Sequence, residues 1–370
     1  MTLLIDIIRV IDKYFNGLLC LIIGFLSKLF YSKQPKKPTK IAFIKLWAIG
    51  DSVTTLPLIK SVKEKYKKTS VIVIAKKRNF SVYKNQKFID CIVLLEGRNV
   101  LKILGLFRKF DLVFDLEPYL NFSALLAWYI GKTRIGFSDQ TRSTLYNETS
   151  AFPRNKHIVD IYMGLGELVG IKKRITNLLK LKVREKDKKK ADSFLKQSYI
   201  KKFDLLVGIC PGAAESVRER MWPKERFVTL ADKIVKKYGA KIVFIGSPKE
   251  SKLIEQIKNK MTEPSINVAG KLTLEQTFSL IEKCKIFISN DTGPMHIAAA
   301  QGCKVIGLFG PNTPKRWAPF GKGNISLYHK TECSPCIVNE KGIMPKCFNR
   351  EFQKCMKLIT VEEVEKHLKK

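Results

Sequence analysis

The sequence predicts an α/β fold with two Rossmann-like domains in tandem, and two observations lead to this prediction. At 370 residues the chain is too long for one ordinary hydrophobic core and suits two domains with additional segments. Short apolar runs alternate with amphipathic stretches twice, from residue 40 and again from residue 205, as in strand–helix–strand units. Because ligands of open parallel sheets bind beyond the carboxyl ends of the strands, we expect the two domains to face a cleft.

Each domain has its own series of predicted elements. In the first, continuous apolar runs are typical of buried parallel strands at residues 41–46, 71–75, 91–95 and 112–116, with helices at 56–67 and 121–130. In the second, the strands are predicted at 205–210, 241–245, 286–289 and 305–309, with helices at 227–238, 250–261, 274–283 and 294–301. A lysine-rich stretch at 183–202 separates the series, which places the two domains at 38–185 and 186–330.

The first 37 residues form a separate segment. Residues 18–30 are strongly apolar but short for a membrane span of about 20 residues. Upstream, apolar residues recur at helical spacing with Asp6, Arg9, Asp12 and Lys13 between them. The segment lacks the leading positive charge and the small-residue cleavage site of a secretory signal. It predicts an amphipathic, membrane-associating helix with a basic linker, the alternative being a helix packed on the protein's own surface.

The formal net charge is +35, from 68 Lys and Arg against 33 Asp and Glu. Such an excess favours anionic partners: nucleic acid, an acidic membrane surface or phosphorylated substrates. Any single lysine run can equally be a solvated helix face. The chain has no basic patch interleaved with aromatic residues and no nucleic-acid reader motif, so a nucleic-acid partner is not expected.

Residues 289–296 follow an apolar strand and carry the signs of a phosphate site. Asp291, Thr292 and Gly293 supply a turn, Pro294 suits the first helical position, and His296 falls in the first turn. The N-terminus of a helix offers free N–H groups and a positive dipole end to a phosphate. The alternative is a well-capped structural helix.

Two further stretches follow predicted strands of the second domain. Residues 210–223 leave a strand through Pro and Gly into a loop with Ser216, Arg218 and Arg220, which suits a diphosphate, although a plain surface loop is the alternative. Glu250 follows the next strand and offers an acceptor to a nucleoside or sugar hydroxyl. A carboxylate that favours the first turn of a helix is the other interpretation.

In the first domain, Gly50 and Asp51 follow the first strand and precede a helix. A carboxylate at this rim suits a general base, which takes the proton from an attacking hydroxyl. By itself, the position is more typical of a helix N-cap.

Taken together, these motifs resemble glycosyltransferase family 9, the bacterial lipopolysaccharide heptosyltransferases. The resemblance runs from about residue 41 to 368, and it is carried by IGDSVTTLP at 49–57, by the loop from PGA at 211 to WP at 223, and by NDTGPMH at 290–296. It implies a GT-B fold, an ADP-heptose-type donor and inversion at the anomeric carbon. It further implies a lipopolysaccharide core or similar glycolipid acceptor and no obligatory metal.

By motif match, the resemblance implies that Asp51 is the catalytic base. It assigns the donor to a set of polar residues in the second domain: Ser216, Arg218, Arg220, Glu250, Asp291, Thr292, Gly293 and His296. The position of Arg220 is commonly lysine in the family. The sequence DLEPYLN at 115–121 also departs from the family's usual motif, which leaves the acceptor and the transferred sugar open.

A chain of this kind is expected in the cytoplasm, peripherally associated with the inner face of the membrane, where an anionic glycolipid would be its acceptor. Two alternatives remain at this stage. One is an enzyme of the same fold that uses a UDP- or GDP-sugar, because base identity is read by the shape of a pocket. The other is a non-catalytic, membrane-docked nucleotide-binding protein.

Four of the nine cysteines crowd into the tail, residues 331–370, which is expected to end in a helix. Cys333 and Cys336 have metal-ligand spacing, and with Cys347 and Cys355 they predict a closed structural zinc site. Disulfides and free thiols are the alternatives. The other five are expected to be small core residues: Cys20, Cys91, Cys210, Cys284 and Cys303.

Overall fold

The computed structural model describes residues 7, 10–27, 33–138, 140–201, 204–338 and 346–368. The chain divides into two compact units, Met1–Ile175 and Thr176–Lys370. Each unit is built on a six-stranded sheet in which every described pairing is parallel. The predicted α/β class is therefore confirmed, while the finer division into 1–37, 38–185, 186–330 and 331–370 stays a prediction.

The sheet of the first unit has the strand order β3-β2-β1-β4-β5-β6. Its strands are β1 (Lys40–Ile44), β2 (Ser70–Ala75), β3 (Cys91–Leu94), β4 (Phe110–Asp115), β5 (Gly131–Phe137) and β6 (Glu148–Ser150). The sequence predicts the first four, whose apolar runs are continuous. It misses β5, where Lys132 and Arg134 interrupt the run, and the three-residue edge strand β6.

The helices of the first unit cover its sheet. They span Gly17–Ser27, Ile49–Lys65, Lys77–Tyr83, Asn121–Ile130 and Ile158–Glu167, with a π-helical turn at Asp12–Asn16 and 3₁₀ turns at Gly97–Leu106 and Thr141–Leu145. The helix predicted from residue 56 begins seven residues earlier, at Ile49. Its first turns are buried on nearly every side, from Ser52 to Ile59, so no amphipathic period marks them.

The sheet of the second unit has the order β12-β11-β10-β7-β8-β9. Its strands are β7 (Leu206–Cys210), β8 (Lys241–Phe244), β9 (Ser265–Asn267), β10 (Ile286–Asn290), β11 (Lys304–Phe309) and β12 (Ile325–Tyr328). Its helices span Glu185–Gln197, Lys224–Tyr238, Ser251–Lys258, Leu274–Glu282, Gly293–Gln301, Pro314–Trp317, Lys354–Lys357 and Val361–Lys366, with 3₁₀ turns at Glu215–Arg220 and Pro248–Glu250. The lysine-rich stretch predicted as a separator contains the first of these helices.

Trp222 is fully buried in the core of the second unit. Its ring packs edge-on against Phe227 at 5.0 Å between centroids. Its indole Nε1 donates to the carbonyl of Ile359 at 2.9 Å, and its backbone N–H donates to Asn290 Oδ1 at 3.0 Å. Trp222 therefore ties the chain's final helices to the end of β10.

The helix Gly17–Ser27 lies against its own unit. Just before it, both carboxylate oxygens of Asp12 accept from the backbone N–H groups of Asn121 and Phe122, at 3.0 and 2.8 Å. Asp12 therefore caps the start of the helix Asn121–Ile130. A Cβ added to Gly24 would lie 2.3 Å from Thr144 Oγ1, so the approach at that position requires glycine. Among the described residues, no helix combines the length and apolarity needed to cross a bilayer. The predictions at residues 1–6, 8–9 and 28–32 lie outside the described residues.

One predicted core cysteine is exposed. Cys91 begins β3 at the edge of the first sheet, and its side chain faces solvent. The prediction for Cys91 is wrong, because an apolar run at a sheet edge is covered on one side only. The other four, Cys20, Cys210, Cys284 and Cys303, are buried.

The buried Arg142–Asp115 pair, 3.3 Å apart and fully enclosed, is expected to dominate the electrostatic stability of the first unit. Arg142→Met should lower the free energy of unfolding by about 3–5 kcal/mol, because it leaves a buried carboxylate without its cation. Lys132→Met removes a half-exposed partner of Asp111 and should cost less than about 1 kcal/mol. Urea unfolding followed by circular dichroism measures both, and equal effects would refute the assignment.

Candidate functional site

Asp51 lies at the start of the helix that follows β1. The residue before that helix, Ala48, has φ of 58°, a left-handed conformation that turns the chain sharply out of the strand. Asp51 is therefore the third residue of the helix and not its N-cap. Its side chain is one-quarter exposed, and its Oδ2 lies 3.7 Å from Lys45 Nζ.

Lys45 is a buried cation directly behind Asp51. Its side chain is 1% exposed, and its Nζ lies 3.1 Å from Glu117 Oε2. Burial lowers the pKa of Lys45, but Glu117, Tyr162 and Asp51 raise it further, so the net pKa lies well above its ordinary value. Lys45 is consequently charged at neutral pH and sits between two carboxylates.

Glu117 fixes the backbone that leads to Asp51. Its Oε1 accepts from the N–H groups of Leu46 and Trp47, at 2.5 and 2.8 Å. Glu117 itself is 4% exposed, so of the two carboxylates beside Lys45 only Asp51 reaches solvent. The arrangement holds one accessible carboxylate in a fixed place at the end of β1.

The loop that carries Glu117 is in turn held by a second buried ion pair. The backbone N–H of Glu117 donates to Asp115 Oδ1 at 3.0 Å, and Arg142 donates to the carbonyl of Glu117 and lies 3.3 Å from Asp115. Burial raises the pKa of Asp115, against the opposing effects of Arg142, Tyr146 and Ser123. The stretch at 115–121, which departs from the family's wording, is thus anchored at the end of β4.

In the second unit, the helix Gly293–Gln301 begins directly after β10. The Thr292 hydroxyl lies 3.2 Å from Ser289 Oγ and 3.3 Å from the carbonyl of Asn290, so it closes the turn between strand and helix. His296 lies in the helix and is 3% exposed. Pro294 occupies the first turn, as the sequence predicts, and the first N–H groups of the helix form its positive end.

Arg220 joins this helix start through Asp291. Its Nη1 donates to the carbonyl of Asp291 at 3.1 Å and lies 3.3 Å from Asp291 Oδ2. Asn312 Nδ2 donates to the same carboxylate oxygen at 2.8 Å. Within the described part of the chain, the Nε of Arg220 has no hydrogen-bond acceptor. A cation, a carboxylate and a helix N-terminus therefore meet at the carboxyl end of β10.

Glu250 lies beside the loop that follows β7. Its Oε2 accepts from the N–H and hydroxyl of Ser247, at 2.6 and 2.7 Å, which forms a capping box for the next helix. A Cβ on Gly212 would lie 1.8 Å from Glu250 Oε1, so this close approach requires glycine. Glu250 thus lies in the first turn of a helix, which is the alternative interpretation, and a role in holding a hydroxyl stays a prediction.

Ser216 and Arg218 are placed differently from Arg220. Both are exposed on the 3₁₀ turn Glu215–Arg220, and the Arg218 guanidinium lies 3.9 Å from Glu215. No described contact joins either side chain to Asp291 or Thr292. Their donor-binding roles also stay predictions.

Three site residues were not assigned from the sequence: Lys45, Glu117 and Asn312. For Lys45 a signal exists, since this charged residue directly follows the apolar run of β1, where a solvated face is not available. Glu117 lies two residues after the end of β4, in a run that Asp115 already interrupts, so its signal is weaker. Asn312 lies in a loop after β11 with no pattern around it, and only the fold brings it to Asp291.

The four tail cysteines lie close together. Cys333, Cys336, Cys347 and Cys355 line one small pocket, and none of the four is joined to another by a disulfide. Among the described residues, no group of three or more His, Cys, Asp or Glu side chains is arranged to hold a metal ion. The zinc site therefore stays a prediction.

A family model described as glycosyltransferase family 9 (heptosyltransferase) matches residues 104–346, well over half of the chain. The chain belongs to glycosyltransferase family 9. It is a glycosyltransferase, as its sequence motifs predict. The lipopolysaccharide core heptosyltransferase OpsX of Haemophilus influenzae is 26% identical over 345 residues, 90% of this chain and 97% of that protein.

Two solved structures have the same fold. A family 9 glycosyltransferase from Veillonella parvula matches with a TM-score of 0.76 and 24% identity, over 91% of this chain and 97% of its own. The ADP-heptose lipopolysaccharide heptosyltransferase II of Escherichia coli matches with a TM-score of 0.70 and 21% identity, over 89% and 97%. The predicted GT-B fold is thereby confirmed.

The tail thiols give a pH-dependent test of the zinc prediction. Burial raises the pKa of Cys355 to about 11, and only the thiolate is alkylated, so in metal-free protein the labelling rate should rise about tenfold per pH unit from about pH 7 to 10. Iodoacetamide labelling read by peptide mass spectrometry measures this, with the exposed Cys91 as an accessible-thiol control. One equivalent of zinc should protect all four tail cysteines and leave Cys91 reactive. Unprotected tail thiols would contradict the zinc site.

Proposed function

We propose that this chain transfers a heptose or related sugar from an ADP-activated donor to the lipopolysaccharide core or a similar glycolipid, with inversion at the anomeric carbon. The observation that carries the proposal is the meeting of Arg220, Asp291 and a helix N-terminus at the end of β10, in a member of glycosyltransferase family 9. The Escherichia coli relative named for ADP-heptose supports the choice of donor.

In this proposal the donor diphosphate binds at the start of the helix Gly293–Gln301. The first N–H groups of the helix and the Arg220 guanidinium, which keeps one N–H donor without an acceptor among the described residues, supply the hydrogen bonds and positive charge. They also meet the negative charge that develops on the leaving group, so no metal is obligatory. Ser216, Arg218, Glu250 and His296 are assigned to the rest of the donor.

The catalytic base in the proposal is Asp51. Its carboxylate takes the proton from the acceptor hydroxyl while the hydroxyl oxygen bonds to the anomeric carbon and the nucleoside diphosphate leaves. The ammonium of Lys45, 3.7 Å away, stabilises the negative charge of Asp51 before the proton arrives. Glu117 is a positioning residue, because it holds Lys45 and the backbone at 46–47 without reaching solvent.

The proposed acceptor also accounts for the charge of the protein. Both a lipopolysaccharide core and the inner leaflet of a membrane are anionic, and the chain has a formal net charge of +35. We propose that the enzyme works peripherally on the inner face of the cytoplasmic membrane, with the N-terminal helix as one point of attachment.

The proposal is tested by the transfer reaction itself. Asp51→Asn keeps the shape of the side chain but removes the base, so kcat should fall about 10²–10⁴-fold while the donor dissociation constant stays the same. The measurement is single-turnover transfer from ADP-heptose to a lipopolysaccharide core acceptor. Asp160→Asn, an exposed aspartate in a helix of the same unit, is the matched control and should keep full activity. Full activity in Asp51→Asn would exclude Asp51 as the base, and no transfer by the wild type would exclude the substrates.

A further inference from the structure

The N-terminal helix, which comprises the turn Asp12–Asn16 and the helix Gly17–Ser27, exposes its apolar side to solvent, unlike an ordinary surface helix. Its buried positions are small or polar: Asp12, Gly17, Cys20, Gly24 and Ser27. Its large apolar residues point outward, with Phe15 60%, Leu18 56% and Phe25 77% exposed. A helix of a water-soluble surface has the opposite arrangement, so this outer face calls for an apolar environment.

A second exposed apolar element lies in the same unit. In the 3₁₀ segment Gly97–Leu106 and the residue after it, Leu101 is 68%, Leu104 66% and Phe107 55% exposed, while Ile103 is buried. Three large apolar side chains within seven residues are more than a scattered surface hydrophobe. Nothing in the proposed transfer reaction uses them.

The helix Asn121–Ile130 connects the two elements. At its start it is capped by Asp12 of the N-terminal segment. Near its end, the Tyr129 ring packs at a tilt against Phe107, 5.2 Å between centroids, and its hydroxyl donates to the carbonyl of Leu104 at 2.7 Å. These contact points are about 12 Å apart along the helix axis. Cys20 and Ile103 belong to one hydrophobic core cluster under this helix, so both elements pack against the same part of the core.

Most charges around these elements are basic, although the exposed Glu96 directly precedes the second one. Residues 97–109 contain four basic residues and no acidic one, and Lys102 and Lys109 are exposed. The only acidic residue between 10 and 27 is the buried Asp12, and exposed Lys33, Lys36 and Lys37 follow the helix. An apolar face with a basic rim complements an anionic lipid surface. Two copies of such a face would instead repel each other, which disfavours a dimer.

We infer that the N-terminal helix and the segment 97–107 form a single membrane-docking face, which seats the first unit on an anionic bilayer in the plane of the headgroups. This face comprises Phe15, Leu18, Phe25, Leu101, Leu104 and Phe107. The inference rests on the proposed function and deepens it, because it names the surface from which the glycolipid acceptor is taken.

The test is vesicle co-sedimentation of the full chain. The wild type should bind vesicles of phosphatidylethanolamine and phosphatidylglycerol and should bind phosphatidylcholine vesicles weakly. The double variant Leu101→Asp, Leu104→Asp should bind the anionic vesicles at least about tenfold more weakly, since it removes two apolar side chains and adds two negative charges. Tyr199→Asp changes an even more exposed side chain, 91% accessible, in the other unit and should bind like the wild type.

Unchanged vesicle binding by the double variant would overturn the inference. If Leu101→Asp, Leu104→Asp in that case also converts a wild-type dimer in lipid-free solution to a monomer, the face joins two copies of this chain instead. Transfer to a deacylated, water-soluble acceptor should be unchanged in the double variant, which shows that the variant is folded. If the wild type fails to transfer sugar but still binds vesicles through this face, the function proposal fails and the docking face stands.

Discussion

The parallel direction of every described strand is the constraint on which the rest of the structure depends. In a parallel sheet all carboxyl ends meet at one edge, so residues that follow different strands become neighbours. Asp51 follows β1 and Glu117 follows β4, and these strands pair directly. Arg220 and Asp291 follow β7 and β10, which also pair directly. The strand order, more than any local motif, assembles each of these two groups of residues within its own unit.

Buried ions then fix the carboxyl edge of the first sheet, where Asp51 lies. Lys45 and Asp115 are placed where burial opposes their charge, and each is held by an opposite charge and by hydrogen bonds. Removing one charged residue from such a network lowers the stability of the protein strongly, because it leaves a buried opposite charge without its partner. Asp51 stands at the edge of this network, where it is partly open to solvent. Rigidity behind an accessible carboxylate is what a general base requires.

Some features of the fold and site can be predicted from the sequence and others cannot, and the difference has a physical cause in each case. Buried central strands such as β1 and β10 are continuous apolar runs and are readily predicted. The short edge strands β6 and β9 have three residues each and no pattern. The position of Asp51 at a strand end is predicted from its neighbours in the sequence alone, because an apolar run precedes it and a helix follows it. Lys45 and Glu117 lie 72 positions apart, and their pairing exists only once the sheet has formed. The outward apolar face of the N-terminal helix likewise depends on which side the fold covers.

The central claim is that the end of β10 binds the diphosphate of an ADP-activated sugar, and calorimetric titration of ADP, UDP and GDP tests it most directly. The account predicts that ADP binds most tightly, and that Arg220→Ala weakens ADP binding by about tenfold or more, while Arg220→Lys, which keeps the charge, weakens it less. Tighter binding of UDP or GDP would contradict the choice of donor. Unchanged ADP binding by Arg220→Ala would contradict the site itself.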